Sequence, residues 1–204
     1  MVDPRYITNF NRTQNELEEL ILFCVCAAGH NAMSSAKALD RFLASIPLTT
    51  KEDFYQSPFV RIKHLGIFQD YKERISSYMK AAGIGCNTWR TKARTFFELA
   101  TFGFDLKKCT IDELEQIHGI GRKTSRFFML HTRPNMQCAV LDTHILKYMR
   151  DMGYDVPKNT PSTKKSYELI ESQFLELANA SGQSVADFDL NLWNRYAGHV
   201  NRTN

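Results

Sequence analysis

Apolar residues recur at helical spacing along most of this chain. In residues 15–28 they fall on one face of an α-helix, three and four positions apart: Leu17, Leu20, Ile21, Cys24, Val25 and Ala28. The same spacing, bounded by capping residues, glycine or proline, predicts further helices over 34–46, 71–83, 89–103, 110–117, 122–131, 142–153, 162–182 and 184–198. Thr110 followed by Glu113 forms a capping box, and Asp142 is a good N-cap residue.

The pattern gives no sign of a β-sheet. No segment alternates apolar and polar residues between turn signals, so the sequence predicts an all-α fold. The connections are short, and residues of about 47–70 lack a clear pattern and are expected to be irregular. With 204 residues, of which 43% are hydrophobic and 24% charged, the chain can form one compact domain or two closely packed lobes.

Composition also limits the compartment and the cofactors. No run of about 18 apolar residues exists and the N-terminal segment is polar, which predicts neither a membrane span nor a signal peptide. Five cysteines occur without a C-x-x-C pair, at Cys24, Cys26, Cys86, Cys109 and Cys138. Their odd number and their spacing predict a reducing compartment, without a disulfide framework, zinc site or iron–sulfur cluster.

Positive charge is concentrated in the middle of the chain. The net charge is +4, but residues 59–133 hold 14 Lys/Arg and 7 Asp/Glu, or +7, whereas the remainder holds 12 and 15, or −3. A basic central segment in an otherwise mildly acidic chain suits a polyanionic partner. Chance clustering on a solvated surface explains the same charges equally well.

The segment EQIHGIGRKTS, residues 115–125, predicts two helices joined by a tight turn. Gly119 and Gly121 can adopt positive φ and, lacking side chains, allow the backbone to approach a ligand closely. The second helix begins at the turn, so its free N–H groups and positive dipole end suit a DNA phosphate, with Arg122 and Thr124 as further contacts. The alternative is a plain glycine-capped turn, which the two-glycine pattern with its following basic residues makes less favourable.

A lysine and an aspartate complete this pattern. Lys123 follows the hairpin, and Asp142 comes 142 − 123 = 19 residues later. IHGIGRKTS and AVLDTHILK together resemble the helix-hairpin-helix DNA glycosylase superfamily, whose motifs are [LI]-x-G-[IV]-G-x-K-[TE]-[AS] and [VIL]-D-[TR]-H-[IV]-x-[RK]. In the branch that carries both residues, the enzymes remove a damaged base and then nick the strand. The resemblance thus implies that Lys123 and Asp142 are catalytic.

The chemistry explains why both residue types are needed. A lysine amine can attack C1′ of the sugar and form a Schiff base, after which β-elimination of the 3′ phosphate follows. A carboxylate can stabilise the positive charge that develops on the sugar and assist proton transfer. Each residue also has a simpler interpretation, since Lys123 could contact a phosphate and Asp142 could only cap a helix.

The C-terminal third of the chain indicates which branch of this superfamily the sequence resembles. No cysteine follows Asp142, so the iron–sulfur cluster of endonuclease III is absent. Residues 161–200 are similar to the end of the short, archaeal-type 8-oxoguanine DNA glycosylases, with a K-x-Y-x-x-I-E helix and then L-x-x-[LF]-D-L-x-[IL]-W. By that resemblance Asp189 and Trp193, four residues apart, face the flipped base. The alternative is a core tryptophan with an aspartate on the helix surface.

Other DNA contacts follow from the same resemblance. The loop at 27–35 matches the position where relatives insert a side chain into the gap left by the flipped base, which indicates His30 or Asn31. A turn with polar caps is the alternative. Residues 83–93 resemble a segment that lies under the DNA, which makes Arg90 and Lys92 candidate phosphate contacts, although single basic residues on a helix are more often merely solvated.

The resemblance implies one glycosylase unit, residues 1–204, with DNA over a cleft between two lobes. Lobe A would comprise about 1–31 plus 134–204, and lobe B about 32–133, with the helix-hairpin-helix at 110–131. The expected function is base excision repair of double-stranded DNA, with 8-oxoguanine as the expected damaged base. The expected enzyme is a monomer in the cytoplasm or nucleus, and it needs no cofactor apart from a monovalent cation at the hairpin. An enzyme for oxidised pyrimidines or another non-canonical base, and a non-catalytic DNA-binding protein, are the alternatives.

Overall fold

The computed structural model describes residues 1–47, 57–67, 69–85, 89–103 and 105–198. In these residues the chain forms ten α-helices and one short 3₁₀ turn, Pro4–Tyr6, and no strand. The helices are α1 (Gln14–Ala27), α2 (Ala32–Ser45), α3 (Pro58–Leu65), α4 (Tyr71–Ala82), α5 (Trp89–Thr101), α6 (Ile111–Glu115), α7 (Arg122–Thr132), α8 (Thr143–Asp151), α9 (Lys164–Ala180) and α10 (Val185–Tyr196). The predicted all-α fold is therefore confirmed.

Helix boundaries follow the capping chemistry of the sequence. The Thr110 side chain accepts a hydrogen bond from the Glu113 N–H, and the Glu113 side chain accepts one from the Thr110 N–H, which completes the predicted capping box. Asp142 caps α8, as predicted. Gly83 ends α4 in the left-handed conformation, with φ +79°. All nine predicted helices have a counterpart within three residues at each end, because these caps are local.

Helix α3 lies in the stretch of 47–70 that was expected to be irregular. The Ser57 hydroxyl accepts a hydrogen bond from the Val60 N–H, and Pro58 stands at the first turn. A residue from a distant segment also stabilises the start of α3. The buried Glu18 carboxylate of α1 accepts a hydrogen bond from the Phe59 N–H at 2.9 Å. The prediction was wrong here because this eight-residue helix depends on that distant partner. Residues 48–56 and 68 of the stretch lie outside the described residues.

The chain divides into two compact units. Unit 1 is Met1–Pro4 with Arg12–Gly121, and unit 2 is Arg5–Asn11 with Arg122–Asn204. The predicted lobes placed α1 with the C-terminal helices and α7 with the preceding ones, whereas the units place α1 in unit 1 and α7 in unit 2. Helix α1 packs on α2, α3 and α5, and α7 packs on α10. Periodicity identifies the apolar face of a helix, but not the partner that covers it.

Each unit has its own core. In unit 1, α5 packs on α3 and α4, and the rings of Phe42 and Phe96 meet edge to face with centroids 5.5 Å apart. In unit 2, α10 packs on α8 and α9, with Phe174 against Phe188 at a centroid distance of 5.4 Å. This packing holds the starts of α7 and α8 on one scaffold with α10.

Two further findings concern the predicted compartment and cysteines. Within the ranges given above, no helix combines the length and the hydrophobicity that crossing a membrane would require. Cys24, Cys26, Cys109 and Cys138 are buried and form no disulfide within the described residues. Cys86 lies outside the described residues.

Candidate functional site

Two side chains of α5 fix the backbone of the glycine turn in unit 1. The His118 N–H donates to Glu98 Oε2 at 2.8 Å, and the His118 carbonyl accepts the Thr95 hydroxyl at 2.6 Å. The backbone N–H and the carbonyl of His118 are thereby both hydrogen-bonded to side chains that lie three positions apart on one face of α5. The turn that precedes α7 is therefore held rigidly before any ligand binds.

The two positions of the turn need glycine for different reasons. Gly119 has φ +86°, and a Cβ there would overlap the Thr95 hydroxyl. Gly121 does not have positive φ, and a Cβ there would have no neighbour within 4 Å. Of the two glycines, which can both adopt positive φ, only Gly119 does so. The missing side chain of Gly121 instead leaves the backbone open to a ligand.

Substitution should separate these two requirements. Gly119→Ala is expected to lower the free energy of unfolding by about 1–3 kcal/mol, because it combines strained backbone with a steric clash. Gly121→Ala should change it by less than about 0.5 kcal/mol, yet weaken binding to duplex DNA by about tenfold if one phosphate contact is lost. Denaturant unfolding and a DNA titration of both variants measure this. Equal losses of stability would contradict it.

The first turn of α7 carries the predicted nucleophile. Lys123 and Arg122 are partly exposed, and Arg122 donates from Nη1 to the Ser162 carbonyl at 3.2 Å. Thr124 is only 5% exposed. Its contact with DNA stays a prediction, for which the backbone N–H at the helix start is an available donor.

Asp142 is held at the start of α8 by one of its two oxygens. Oδ1 accepts the N–H groups of His144 at 2.8 Å and Ile145 at 2.9 Å. Oδ2 accepts no hydrogen bond from the described part of the chain, and the residue is partly exposed. Capping and catalysis are therefore compatible, because the cap fixes the carboxylate by one oxygen and leaves the other available.

The residues predicted to form the base pocket lie beside this carboxylate. The Trp193 ring of α10, which is partly exposed, meets the His144 ring edge to face at a centroid distance of 6.4 Å. Asp189, one turn earlier on α10, is only 4% exposed, and the charge of Asp142 contributes to raising its pKa. Unit 2 thus contains Asp142, Asp189 and Trp193, and the role of Asp189 and Trp193 as a base pocket stays a prediction.

Asp189 is paired with a histidine that sequence reasoning had not connected to it. Its Oδ2 lies 3.4 Å from Nε2 of the buried His131, whose Nδ1 is 2.9 Å from the Thr8 hydroxyl. Among the described residues, Asp189 Oδ1 has no hydrogen-bond partner. This buried oxygen can therefore accept a hydrogen bond from a bound group, or donate one when the carboxyl group is protonated.

Burial raises the pKa of Asp189 above its ordinary value of 3.8; His131 opposes this shift, and the Asp142 charge adds to it. Such a group contributes stability that is present below pH 3.8 and lost as the pH rises through the raised pKa. Asp189→Asn should therefore gain stability relative to the wild type with rising pH, by at most about 1.4 kcal/mol per pH unit. Denaturant titrations at several pH values, with exposed Asp187→Asn as the control, measure the trend. A gain that shrinks as the pH rises would mean that His131 stabilises the carboxylate.

Unit 1 holds the remaining predicted DNA contacts. Asn31 caps α2 and accepts the Ser34 N–H at 3.0 Å, so the alternative of a polar cap applies to it. His30 is exposed, and burial of part of its ring, followed by the Lys92 charge, lowers its pKa. Arg90 is 72% exposed and pairs with Glu73, an ion pair weak enough to leave the guanidinium available to a phosphate. The gap-filling role of His30 or Asn31 stays a prediction.

Lys92 differs from its prediction. It is 9% exposed, and its Nζ donates to the Gly85 carbonyl at 2.8 Å and the Cys26 carbonyl at 3.2 Å. The phosphate contact expected for Lys92 is therefore corrected to a structural role, in which the ammonium joins two backbone segments. Its position on the helix could not reveal this, because both acceptors are distant in sequence.

The described residues do not offer a cluster of three side-chain ligands for a metal ion, since no three His, Cys, Asp or Glu side chains among them are grouped so that they could share one. The monovalent cation expected at the hairpin carbonyls stays a prediction.

Sequence reasoning missed several residues that shape the site. Thr95 and Glu98 hold the turn, and His131 faces Asp189. No local signal distinguishes Thr95 from an ordinary helix residue. His131 offered a weak signal, since it is a titratable residue at the end of a helix whose apolar positions surround it.

The chain is similar to known 8-oxoguanine DNA glycosylases in sequence and in fold. An 8-oxoguanine DNA glycosylase/AP lyase of Thermotoga sp. (strain RQ2) is 36% identical over 86 residues, which is 41% of this chain and 40% of that protein. The alignment thus covers less than half the length of this relative. The solved 8-oxoguanine DNA glycosylase of Thermotoga maritima matches with a TM-score of 0.66 and 22% identity over 90% of this chain and 80% of that chain.

A second solved structure is the Methanocaldococcus jannaschii 8-oxoguanine glycosylase/lyase in complex with 15mer DNA containing 8-oxoguanine. It matches with a TM-score of 0.54 and 18% identity over 92% of this chain and 84% of that chain. At these identities the solved structures establish the fold. The family model for 8-oxoguanine DNA glycosylase matches residues 5–183. Since this is most of the 204 residues, the chain belongs to the 8-oxoguanine DNA glycosylase family of helix-hairpin-helix proteins.

Proposed function

We propose that this protein is a bifunctional DNA glycosylase and AP lyase that excises 8-oxoguanine from double-stranded DNA. One observation carries the proposal: Lys123 lies partly exposed in the first turn of α7, and Asp142 caps α8 in the same unit with one oxygen unengaged. Membership of the family and the DNA complex of the M. jannaschii relative support the substrate class.

In the proposed reaction, the bond between C1′ and the base nitrogen breaks, and the base leaves with the electron pair and takes up a proton. The Lys123 amine forms a bond to C1′, and opening of the sugar ring gives a Schiff base. Loss of a proton from C2′ then expels the 3′ phosphate, which cleaves the strand. Water finally releases the sugar fragment from Lys123. These steps need no redox partner.

Asp142 would act on the sugar as it becomes positively charged. Its Oδ1 is fixed by two backbone N–H groups, so the carboxylate has a defined direction before DNA binds. The second oxygen can then stabilise the oxocarbenium-like sugar and assist the proton transfers at Lys123.

Trp193 and Asp189 would receive the extruded base. An indole ring that is partly exposed can stack on the base, and the unpartnered Oδ1 of Asp189 can form a hydrogen bond with its edge. The buried His131 behind Asp189 orients that carboxyl group.

DNA binding would use the hairpin backbone at Gly119 and Gly121, with Arg122 and Arg90 as phosphate contacts and His30 or Asn31 in the gap. We further propose that a monomer performs the reaction in the compartment that holds the genome. A monovalent cation at the hairpin is the sole additional group in this proposal.

The test uses duplex oligonucleotides that carry 8-oxoguanine, an oxidised pyrimidine, an abasic site or undamaged guanine, each incubated with the protein and then with borohydride. Reduction traps a Schiff base as a covalent protein–DNA adduct. The strongest adduct on the 8-oxoguanine duplex supports the proposal. A preference for the pyrimidine duplex would change the substrate, and binding without an adduct on any duplex would reject the lyase mechanism.

A further inference from the structure

The segment that leads to Asp142 is buried without regular secondary structure. Residues 138–141 are at most 5% exposed, and they belong to neither a helix nor a strand. Their backbone N–H and carbonyl groups therefore need partners from elsewhere, since unpaired buried groups are costly. The Val140 carbonyl accepts the Asp142 N–H at 2.7 Å. Four other groups have side-chain partners, and α9 supplies three of these hydrogen bonds.

Tyr167 satisfies two of these backbone groups. Its hydroxyl donates to the Ala139 carbonyl at 2.8 Å and accepts the Leu141 N–H at 3.2 Å. Burial raises the pKa of Tyr167, so the hydroxyl remains protonated and available as a donor. The Thr160 hydroxyl donates to the Leu141 carbonyl at 2.7 Å. The residue directly before Asp142 is thus fixed at both its N–H and its carbonyl.

Glu171, one turn after Tyr167 on α9, joins the same segment to α7. Its Oε1 accepts the Ala139 N–H at 2.8 Å and the Arg126 Nε–H at 2.7 Å. Arg126 lies on α7 one turn after Lys123, and its guanidinium stacks over the Tyr167 ring at 4.7 Å. One carboxylate therefore contacts both the helix that carries Lys123 and the segment that carries Asp142.

We infer that Tyr167 and Glu171 are positioning residues that hold Asp142 and the Lys123 helix in their relative placement for the reaction. This inference rests on the proposed function of Lys123 and Asp142. It also explains the K-x-Y-x-x-I-E pattern, because a spacing of four puts the hydroxyl and the carboxylate on one face of α9. Neither residue is proposed to contact DNA.

The expected loss of rate follows from the need to align the catalytic groups with the sugar. A displacement of about 1 Å in a catalytic group can reduce a rate by about 100-fold. Tyr167→Phe keeps the ring and removes only the hydroxyl, and Glu171→Gln keeps an oxygen for Ala139 while removing the charge that binds Arg126. Glu168→Gln is the matched control, since Glu168 is an exposed residue of the same helix.

The experiment measures single-turnover excision of 8-oxoguanine at saturating enzyme, together with duplex affinity and the unfolding midpoint, for the three variants and the wild type. The same substitutions are repeated in an Asp142→Asn background. We expect Tyr167→Phe and Glu171→Gln to reduce the rate by about tenfold or more at unchanged affinity. In the Asp142→Asn background the further loss should be about twofold at most, because the two residues act largely through Asp142.

Two outcomes would overturn the inference: rates equal to those of Glu168→Gln, or the same loss in both backgrounds, which is what a general structural role gives. If Glu171→Gln does not fold, Tyr167→Phe decides the question alone. Failure of the proposed function is recognised separately, because the wild-type protein would then excise no base from any duplex.

Discussion

Lys123→Gln is expected to abolish the borohydride-trapped adduct and to reduce base excision by about 1,000-fold or more, because no amine remains to attack C1′. Folding should be unaffected. Lys123 is partly exposed on the first turn of α7, and surface changes of this kind alter stability by about 0.5 kcal/mol or less. Gel analysis of the trapped complex and single-turnover excision on the 8-oxoguanine duplex measure the two effects.

Lys165→Gln is the control, since it removes the same charge from an exposed position on α9. DNA affinity should fall by no more than about tenfold in both variants, which is the loss expected for one phosphate contact. An adduct that persists in Lys123→Gln would show that another amine is the nucleophile. Loss of DNA affinity with an intact excision rate would make Lys123 a phosphate contact.

Asp142→Asn should reduce excision by about 100- to 10,000-fold while the protein remains folded. Asparagine caps a helix about as well as aspartate, so the hydrogen bonds from His144 and Ile145 can persist. The substitution removes the negative charge that would stabilise the sugar. Single-turnover rates and circular dichroism of the variant, with exposed Asp155→Asn as the control, separate the charge from the cap.

The two roles of Asp142 give opposite results in this measurement. If the residue is only an N-cap, Asp142→Asn retains the wild-type rate, and the catalytic assignment is wrong. If the residue is catalytic, the variant binds the 8-oxoguanine duplex but cleaves it slowly.

The sequence alone determined nine of the ten helices in the described residues, the glycine turn and the proposed catalytic pair. Caps such as Thr110 with Glu113 act within one turn of a helix, so they can be read from adjacent residues. The fold class follows for the same reason, because apolar periodicity is a local property. Lys123 and Asp142 were found through motifs in which a fixed residue order places each one at the start of a helix.

The tertiary structure decided how those elements are held and which polar groups are buried. Helix α3 depends on Glu18, and Lys92 is buried against carbonyls from two other segments. Glu171 contacts residues 32 and 45 positions away in the chain. Such partners are brought together only by packing of the helices, and a pattern with a period of a few residues contains no information about them. The sequence therefore identified the proposed reacting groups, whereas the tertiary structure identified the side chains that we infer to position them.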